Sequence, residues 1–589
     1  MNIDLRANPF FLTEEDCDWV HETIAAMNDE EKVGQLFFQL TSSQKEEDLI
    51  ELIQTYHLGG CRYNPAPARE VWKQNRILQE NSKIPLFIAC NTESGGDGAC
   101  TDGTYIGNGM KIGATGNHDY AEDMGRMGNA EAAAIGCNMA FAPVCDIYYN
   151  PMNTEISTRA FSNDPEMVKK CSVEYVRGAH QNTDFACVAK HFPGNGVDYR
   201  DAHLSNHVND FSPKHWDETY GMVYKELIEN GVEGIMGGHI MLPEYVRELA
   251  PELPEEEVWM PATLNKTLMT TLLRDKLGFH GVVVTDASHM VAMTNQMTRK
   301  EMLPRAINAG CDMFLFFNDP QEDFRTMLTA YQRGVISEER MTEALTRILG
   351  IKARLQLHKK SAAEMVPEKD TLDRVLGNEE FKKKQSEISE KSLTLVKYKD
   401  KDVLPISPEK YKKVMIVHIK GHETGMVELL KLCGMEGKNP AETVKQKLCE
   451  RGYDAYVYES PLDQMKQKAL KGEKPDLNIY FAGKNAISEF REQADLVITL
   501  CDVMAGRPSF GMSKGGGEIP WYVFEVPVIA VGCGQPTMLS DIPQVRTYIN
   551  IYDAKENTLE KLIEALSSGA DAFVGKDPID SFCGLQDTK

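Results

Sequence analysis

Eight short apolar runs recur along the first part of the chain, at residues 34–40, 58–63, 85–91, 139–146, 186–190, 234–238, 281–285 and 312–317. Each is apolar on both faces, the pattern of strands buried inside a parallel sheet. The segments between them, such as 119–135, 165–182 and 214–230, carry apolar residues at helical spacing and many good helix formers. Alternation of this kind predicts an α/β chain with a (β/α)8 TIM-like barrel over residues 1–355. The count of eight leaves residues 102–116 free to hold an extra strand or hairpin.

From 356 to 391 the chain becomes strongly charged and loses strand character, which reads as a helical surface linker. Lys382, Lys383 and Lys384 then belong to that surface rather than to a basic binding patch. Strand-like runs resume at 393–397, 414–419, 454–458, 496–500 and 527–532. They predict an α/β sandwich C-terminal domain over 392–575, of ordinary domain size. Residues 576–589 read as a loose tail.

A barrel concentrates its chemistry at the C-terminal ends of its strands. The polar residues at those ends are Asn91, Asp146, Lys190, His191, His239 and Asp286. Asp286 closes the run Gly281-Val-Val-Val-Thr-Asp, where a carboxylate can serve as nucleophile, base, metal ligand or helix N-cap. Lys190 and His191 close another strand; the lysine could bind sugar hydroxyls or a phosphate, or simply pair with a neighbouring carboxylate, and His191 alone reads more often as a structural histidine than as a catalyst. Arg159, in Ser157-Thr-Arg-Ala-Phe161, is a similar candidate. Asp146 reads as structural. Beyond Lys190, Pro193, Gly194 and Gly196 open a loop that carries Asp201 and His203. A carboxylate this close to an imidazole can orient the ring and favour its protonated form, as proton transfer requires. The plainer reading is an exposed salt bridge.

Composition excludes several function classes. The chain has 589 residues and a formal net charge of -24. Nucleic acid is not an expected partner, because phosphate binding needs a basic surface. No run of about 18 apolar residues is present, so no membrane span is expected. Residues 1–20 lack the basic and apolar regions of a secretory signal. The fourteen cysteines form no C-x-x-C pair, and buried thiols in a reducing cytoplasm explain them best. Neither H-E-x-x-H nor an EF-hand loop occurs, so no metal and no cofactor is expected. Gly515–Gly517 lacks the lysine-serine ending of a P-loop and reads as a turn. The glycines at 107–113 miss the dinucleotide spacing.

The residues carry a resemblance. Glu30-Glu-Lys-Val-Gly-Gln-Leu36, Phe141-Ala-Pro-Val144, Thr158-Arg-Ala-Phe161, Lys190-His-Phe-Pro-Gly194, Asp201-Ala-His203, Pro261-Ala-Thr263 and the strand ending on Asp286 resemble glycoside hydrolase family 3. The D-x-H loop points to its β-N-acetylglucosaminidase branch, and residues 536–550 resemble the end of the second domain in two-domain members. The resemblance implies Asp286 as nucleophile, His203 as acid/base assisted by Asp201, and Arg159, Lys190 and His191 on the terminal sugar. Asn91 and His239 join them as substrate-binding candidates. The chain departs from the family pattern at Asn91, where an aspartate is usual, and at Ala99, where an arginine is usual. Asn195 replaces the second histidine of K-H-F-P-G-H-G, and D-S-H has become D-A-H. An amide accepts and donates where a carboxylate only accepts, so Asn91 favours a different hydroxyl arrangement or a differently substituted sugar.

The expected activity is that of a retaining, exo-acting β-glycosidase for a carbohydrate substrate, foremost a β-N-acetylhexosaminidase. Three rivals stand beside it: a glycoside phosphorylase, a β-glycosidase for another sugar, and a noncatalytic sugar-binding protein. The second domain lacks a catalytic set, which leaves it to shape the site or to support a homodimer.

Overall fold

The structure, a computed structural model, describes residues 3–41, 45–182, 185–421, 438–459, 461–474, 487–504 and 519–584. The glycine run 515–517 and the end of the tail lie outside these residues. The chain forms two compact units: residues 1–109 with 118–384, and residues 110–117 with 385–589.

The first unit contains β1 (Phe37–Leu40), β2 (Gly60–Arg62), β3 (Phe87–Cys90), β4 (Met139–Ala140), β5 (Ala186–Phe192), β6 (His207–Val208), β7 (Gly234–Gly237), β8 (Ile240–Met241), β9 (Val282–Ala287) and β10 (Met313–Leu315). Eight of these close into a parallel barrel in the order β1-β10-β9-β7-β5-β4-β3-β2. The closing pair aligns Phe37 with Phe314. All seven residues of β5 are buried, as the two-sided apolar pattern requires. β6 and β8 form a separate parallel ribbon beside the barrel mouth. The region 102–116 holds a short helix, Gly109–Ala114, and Tyr105 makes a single antiparallel bridge to Gly95.

The charged stretch is helical, with Lys369–Val375 and Glu379–Ser392 its longest helices. Lys382 and Lys384 are spent on Glu379 at 3.0 Å and Asp123 at 3.3 Å. The unit boundary falls inside the helix Glu379–Ser392 rather than at its end.

The second unit contains β11 (Thr394–Tyr398), β12 (Lys413–Lys420), β13 (Asp454–Val457), β14 (Leu496–Asp502), β15 (Val528–Gly532) and β16 (Thr547–Asn550). Its sheet runs β11-β16-β15-β14-β12-β13, parallel except for the β11–β16 pair. Alternate residues feed two apolar layers: Val414, Ile416, Ile498 and Val531 enter one, and Met415, Val417, Val497 and Ala530 the other. A period of two with both faces covered makes the sandwich. Lys111 is fully buried in this unit. It donates to Asp553 at 2.7 Å, Thr558 at 2.6 Å and Ser389 at 3.0 Å. Ser581 and Phe582 are buried as well. The chain past residue 575 is therefore packed as far as it is described, because an apolar ring and a hydroxyl bonded to Asp577 hold it down.

Candidate active site

The site is built on β5 and β9. Lys190 and His191 lie one turn of the pleat from the end of β5, and both are buried. Lys190 forms an ion pair with Glu93. Arg159 grips the same carboxylate with both arms of its fork, at 2.8 and 2.9 Å. Burial opposes the charge on Glu93, but Arg159 and Lys190 outweigh it and hold the carboxyl well below its usual range. For Lys190 burial wins, and its ammonium is depressed despite Glu93.

His191 is oriented by Asp146. Its Nδ1 meets Asp146 Oδ2 at 2.7 Å, and its backbone N–H donates to Oδ1 at 3.2 Å. The N–H of Asn195 donates to the same oxygen at 2.7 Å. The donated Nδ1 proton leaves Nε2 facing Asp286, 3.9 Å from its Oδ2. Asp146 is structural, as its sequence setting suggested.

Asp286 ends the polar part of β9. Its Oδ1 accepts the N–H of Ala287 at 2.7 Å. Burial raises its pKa, but His191, His239, this N–H and Lys190 together lower it below the ordinary value, so the group stays anionic. It is not a helix cap: the next helix, Val291–Thr294, has Met290 as its N-cap.

Asp201 and His203 are paired through Oδ1 and Nδ1 at 2.8 Å. This bond, against some burial and with help from the charges of Asp201, Glu155 and Asp286, raises the imidazole pKa. The loop is tied to the chain just beyond Asp286. Val291 N–H donates to the His203 carbonyl at 3.3 Å, and Ala292 N–H to the Ala202 carbonyl at 3.0 Å. Ala202 packs in an apolar cluster with Met290 and Ala292, which suits an alanine at the centre of D-A-H. The turn into the loop needs glycine at two places. Gly194 has φ +126°, and a Cβ there would lie 2.3 Å from the Tyr220 ring; Gly196 has φ +108°, and a Cβ would lie 1.9 Å from the Ile147 carbonyl.

Asn195 takes on a bracing role. Its Oδ1 accepts from Asn153 Nδ2 at 3.0 Å, and its carbonyl accepts from the Tyr220 hydroxyl at 2.5 Å. His239 departs from expectation. Its Nε2 meets the Ala287 carbonyl at 3.1 Å, and its Nδ1 the Thr263 hydroxyl at 2.8 Å. With both ring nitrogens occupied it braces the end of β9 rather than presenting a free nitrogen to a ligand, and burial lowers its pKa. Asn91 stands half-buried just past β3, and its side chain has no hydrogen-bond partner among the described residues. Ala99 is buried, with its carbonyl bound by the Tyr63 hydroxyl at 3.0 Å.

Three residues escaped the sequence reading. Glu93 lies two positions beyond Asn91, and only its partners reveal it. Arg62 ends β2, so the strand-end rule that selected Asn91 selects it too. It pairs in register with Ala89, on the face that continues to Asn91. Among the described residues its guanidinium bonds only the neutral Asn64, at 3.0 Å. Glu155, four residues before Arg159, carries no local signal. With Asp201 and His203 it offers one ligand atom each within 4.8 Å of one another, the arrangement among the described residues that could hold a metal ion. Asp201 and His203 already satisfy each other through their own hydrogen bond. A groove of 880 Å³ lies elsewhere, between the helices Arg299–Ala309 and Pro320–Gln332, and gathers none of these residues.

Comparison with known sequences decides the family. The pattern described as the glycosyl hydrolase family 3 N-terminal domain matches residues 29–351. The chain belongs to glycosyl hydrolase family 3. It is a glycoside-cleaving enzyme of that family. It is 36% identical to a β-N-acetylglucosaminidase/β-glucosidase of Cellulomonas fimi, over 100% of both chains. Among solved structures it resembles a β-glucoside phosphorylase, BglX, at 33% identity and a TM-score of 0.88, covering 99% of each chain. A family 3 β-N-acetylglucosaminidase from Paenibacillus sp. str. FPU-7 follows at 25% identity and a TM-score of 0.76, over 94% of this chain and 99% of that one. Among the described residues no helix is long and apolar enough to cross a membrane.

Proposed function

We propose that this chain is a retaining, exo-acting β-glycosidase that removes terminal N-acetylhexosamine, with glucose as the second sugar to test. The observation that supports it most is the pairing of an anionic Asp286 with a protonatable His203, whose loop hydrogen-bonds the segment immediately behind that aspartate. Retention needs a nucleophile on one face of the sugar and a proton donor at the leaving oxygen. Asp286 attacks the anomeric carbon while His203 gives its Nε2 proton to the departing oxygen. The glycosyl-aspartate ester and a neutral His203 result. His203 then takes a proton from water as its oxygen displaces Asp286, which restores both groups. Arg159, Lys190 and Glu93 hold the sugar's hydroxyls together with Asn91, and His191 faces the nucleophile. The C. fimi relative, whose name joins N-acetylglucosaminidase to glucosidase, supports this order of sugars. The free, mostly buried thiols fit a cytoplasmic location. A panel of aryl β-glycosides read for initial rates tests the sugar; no cleavage of either the N-acetylglucosaminide or the glucoside refutes it.

A second reading is phosphorolysis. It draws on the likeness to the β-glucoside phosphorylase and on the neutral basic form of His203, which repels an anionic acceptor less than a carboxylate would. Product analysis with and without inorganic phosphate separates the two. Sugar 1-phosphate appearing only with phosphate supports transfer, and free sugar under both conditions supports hydrolysis.

A further inference from the structure

Glu155 is a carboxylate that the reaction above leaves unused. Its side chain is only 5% exposed. One oxygen accepts the Ala202 N–H at 3.1 Å, the amide between Asp201 and His203. That oxygen also lies 3.8 Å from His207 Nδ1. The carboxylate is within 4.8 Å of ligand atoms on both Asp201 and His203. The loop bearing Glu155 is itself joined to the acid/base loop. Asn150 donates to Gly196 at 2.8 Å through its backbone and to Val197 at 2.9 Å through its side chain. Asn153 donates to Asn195 at 3.0 Å and to the Asp198 carbonyl at 2.6 Å, and it accepts the Ile156 N–H at 2.8 Å. Glu155 therefore sits at the end of a braced loop and holds the amide at the centre of D-A-H.

We propose that Glu155 is a positioning residue for proton transfer: it fixes the acid/base loop through the Ala202 amide, and its charge keeps His203 protonated to higher pH. The inference rests on His203 being the acid/base. The charged and titratable groups facing His203 are Asp201 on its own loop, Glu155 on the braced loop, Asp286 on β9 and His239 beyond β7, with His207 behind Glu155. Asp201 makes the direct bond, and Glu155 adds a second negative charge on the same side. Asp286 also contributes, but its charge is consumed when the glycosyl ester forms, whereas the charge of Glu155 persists through both steps. A charge 4.8 Å away, screened as in bulk water, moves a pKa by about 0.6 unit, and by more where screening is weaker.

The test is the pH dependence of kcat/KM on an aryl glycoside with a poor leaving group, for the full chain and the variants Glu155→Gln, Glu155→Ala and His203→Ala. Glutamine keeps an oxygen for the Ala202 amide and removes only the charge. The alkaline limb should therefore move to lower pH by about half to one unit in Glu155→Gln. Glu155→Ala should show the same displacement with a further fall in kcat on poor leaving groups only. The position of a limb does not depend on how much enzyme is folded, so a partly unfolded preparation still reports it. An unmoved limb in Glu155→Gln, with the limb lost in His203→Ala, overturns the role of Glu155 alone. A limb that survives in His203→Ala overturns the acid/base assignment instead.

Discussion

Glu93→Gln replaces the one carboxylate that Lys190 and Arg159 share, and its consequences can be worked from the structure. The wild-type group is a buried cluster of two cations and one anion, with side-chain exposures of 4% for Lys190, 17% for Glu93 and 31% for Arg159. Removing one member of a buried ion pair typically costs about 3–5 kcal/mol, because a buried charge is left uncompensated. Arg159 can reach solvent, so the lower figure, about 3 kcal/mol, applies. The barrel unit has roughly 370 residues, and at about 2.1 cal/mol/K per residue its unfolding entropy is roughly 0.8 kcal/mol/K. The expected fall in the barrel's Tm is therefore about 4 °C. The pH dependence supplies a second check. The folded pKa of Glu93 is depressed, so its contribution is fully present above its unfolded pKa of about 4.3 and is lost as pH falls toward the folded value. The gap between wild type and variant should be constant near neutrality and narrow below about pH 4. Lys190 and Arg159 would also lose their shared orientation, and kcat/KM should fall about 10²-fold. Calorimetry across pH with parallel steady-state kinetics measures all three. A Tm within about 1 °C of wild type at pH 7, with kcat/KM unchanged, would refute the reasoning.

Other substitutions separate the remaining roles. His203→Ala should slow glycosides with poor leaving groups by about 10²–10⁴-fold and spare activated aryl glycosides; equal losses on both would exclude it as the proton donor. Asp286→Ala should abolish turnover and the trapping of a glycosyl-enzyme by a slow fluorinated substrate, detected by intact mass; a trapped adduct would place the nucleophile elsewhere. Arg62→Ala should raise KM for the terminal sugar by about tenfold, the worth of one hydrogen bond to a charged group, with Tm unchanged. An unaltered KM would remove Arg62 from the sugar site.

The departures from the family pattern take on physical meaning in the structure. Asn195 is not a vacant replacement for a histidine, since its amide oxygen and backbone carbonyl bind Asn153 and Tyr220 across two loops. Ala202 fills an apolar contact with Met290 and Ala292. His239 was correctly placed at a strand end, but the end of a strand does not reveal which way a ring is turned. Here it turns toward Thr263 and the Ala287 carbonyl.

The eight barrel strands were legible because burial on both faces leaves a local mark, a short continuous apolar run, that needs no knowledge of the partner strand. The same holds for Lys190, His191 and Asp286, since a polar residue closing such a run is a local exception to the pattern. The Asp201–His203 pair was visible because its members are two residues apart. Nothing local marks Glu93 as the partner of Arg159, 66 positions away, or Asp146 as the group that orients His191, 45 positions away. Nor does anything local place Glu155 under the Ala202 amide, 47 positions on, or assign residues 110–117 to the second unit. Charge pairing acts through space over a few ångströms, and which carboxylate comes within that range is decided only when the barrel closes and its loops are braced together.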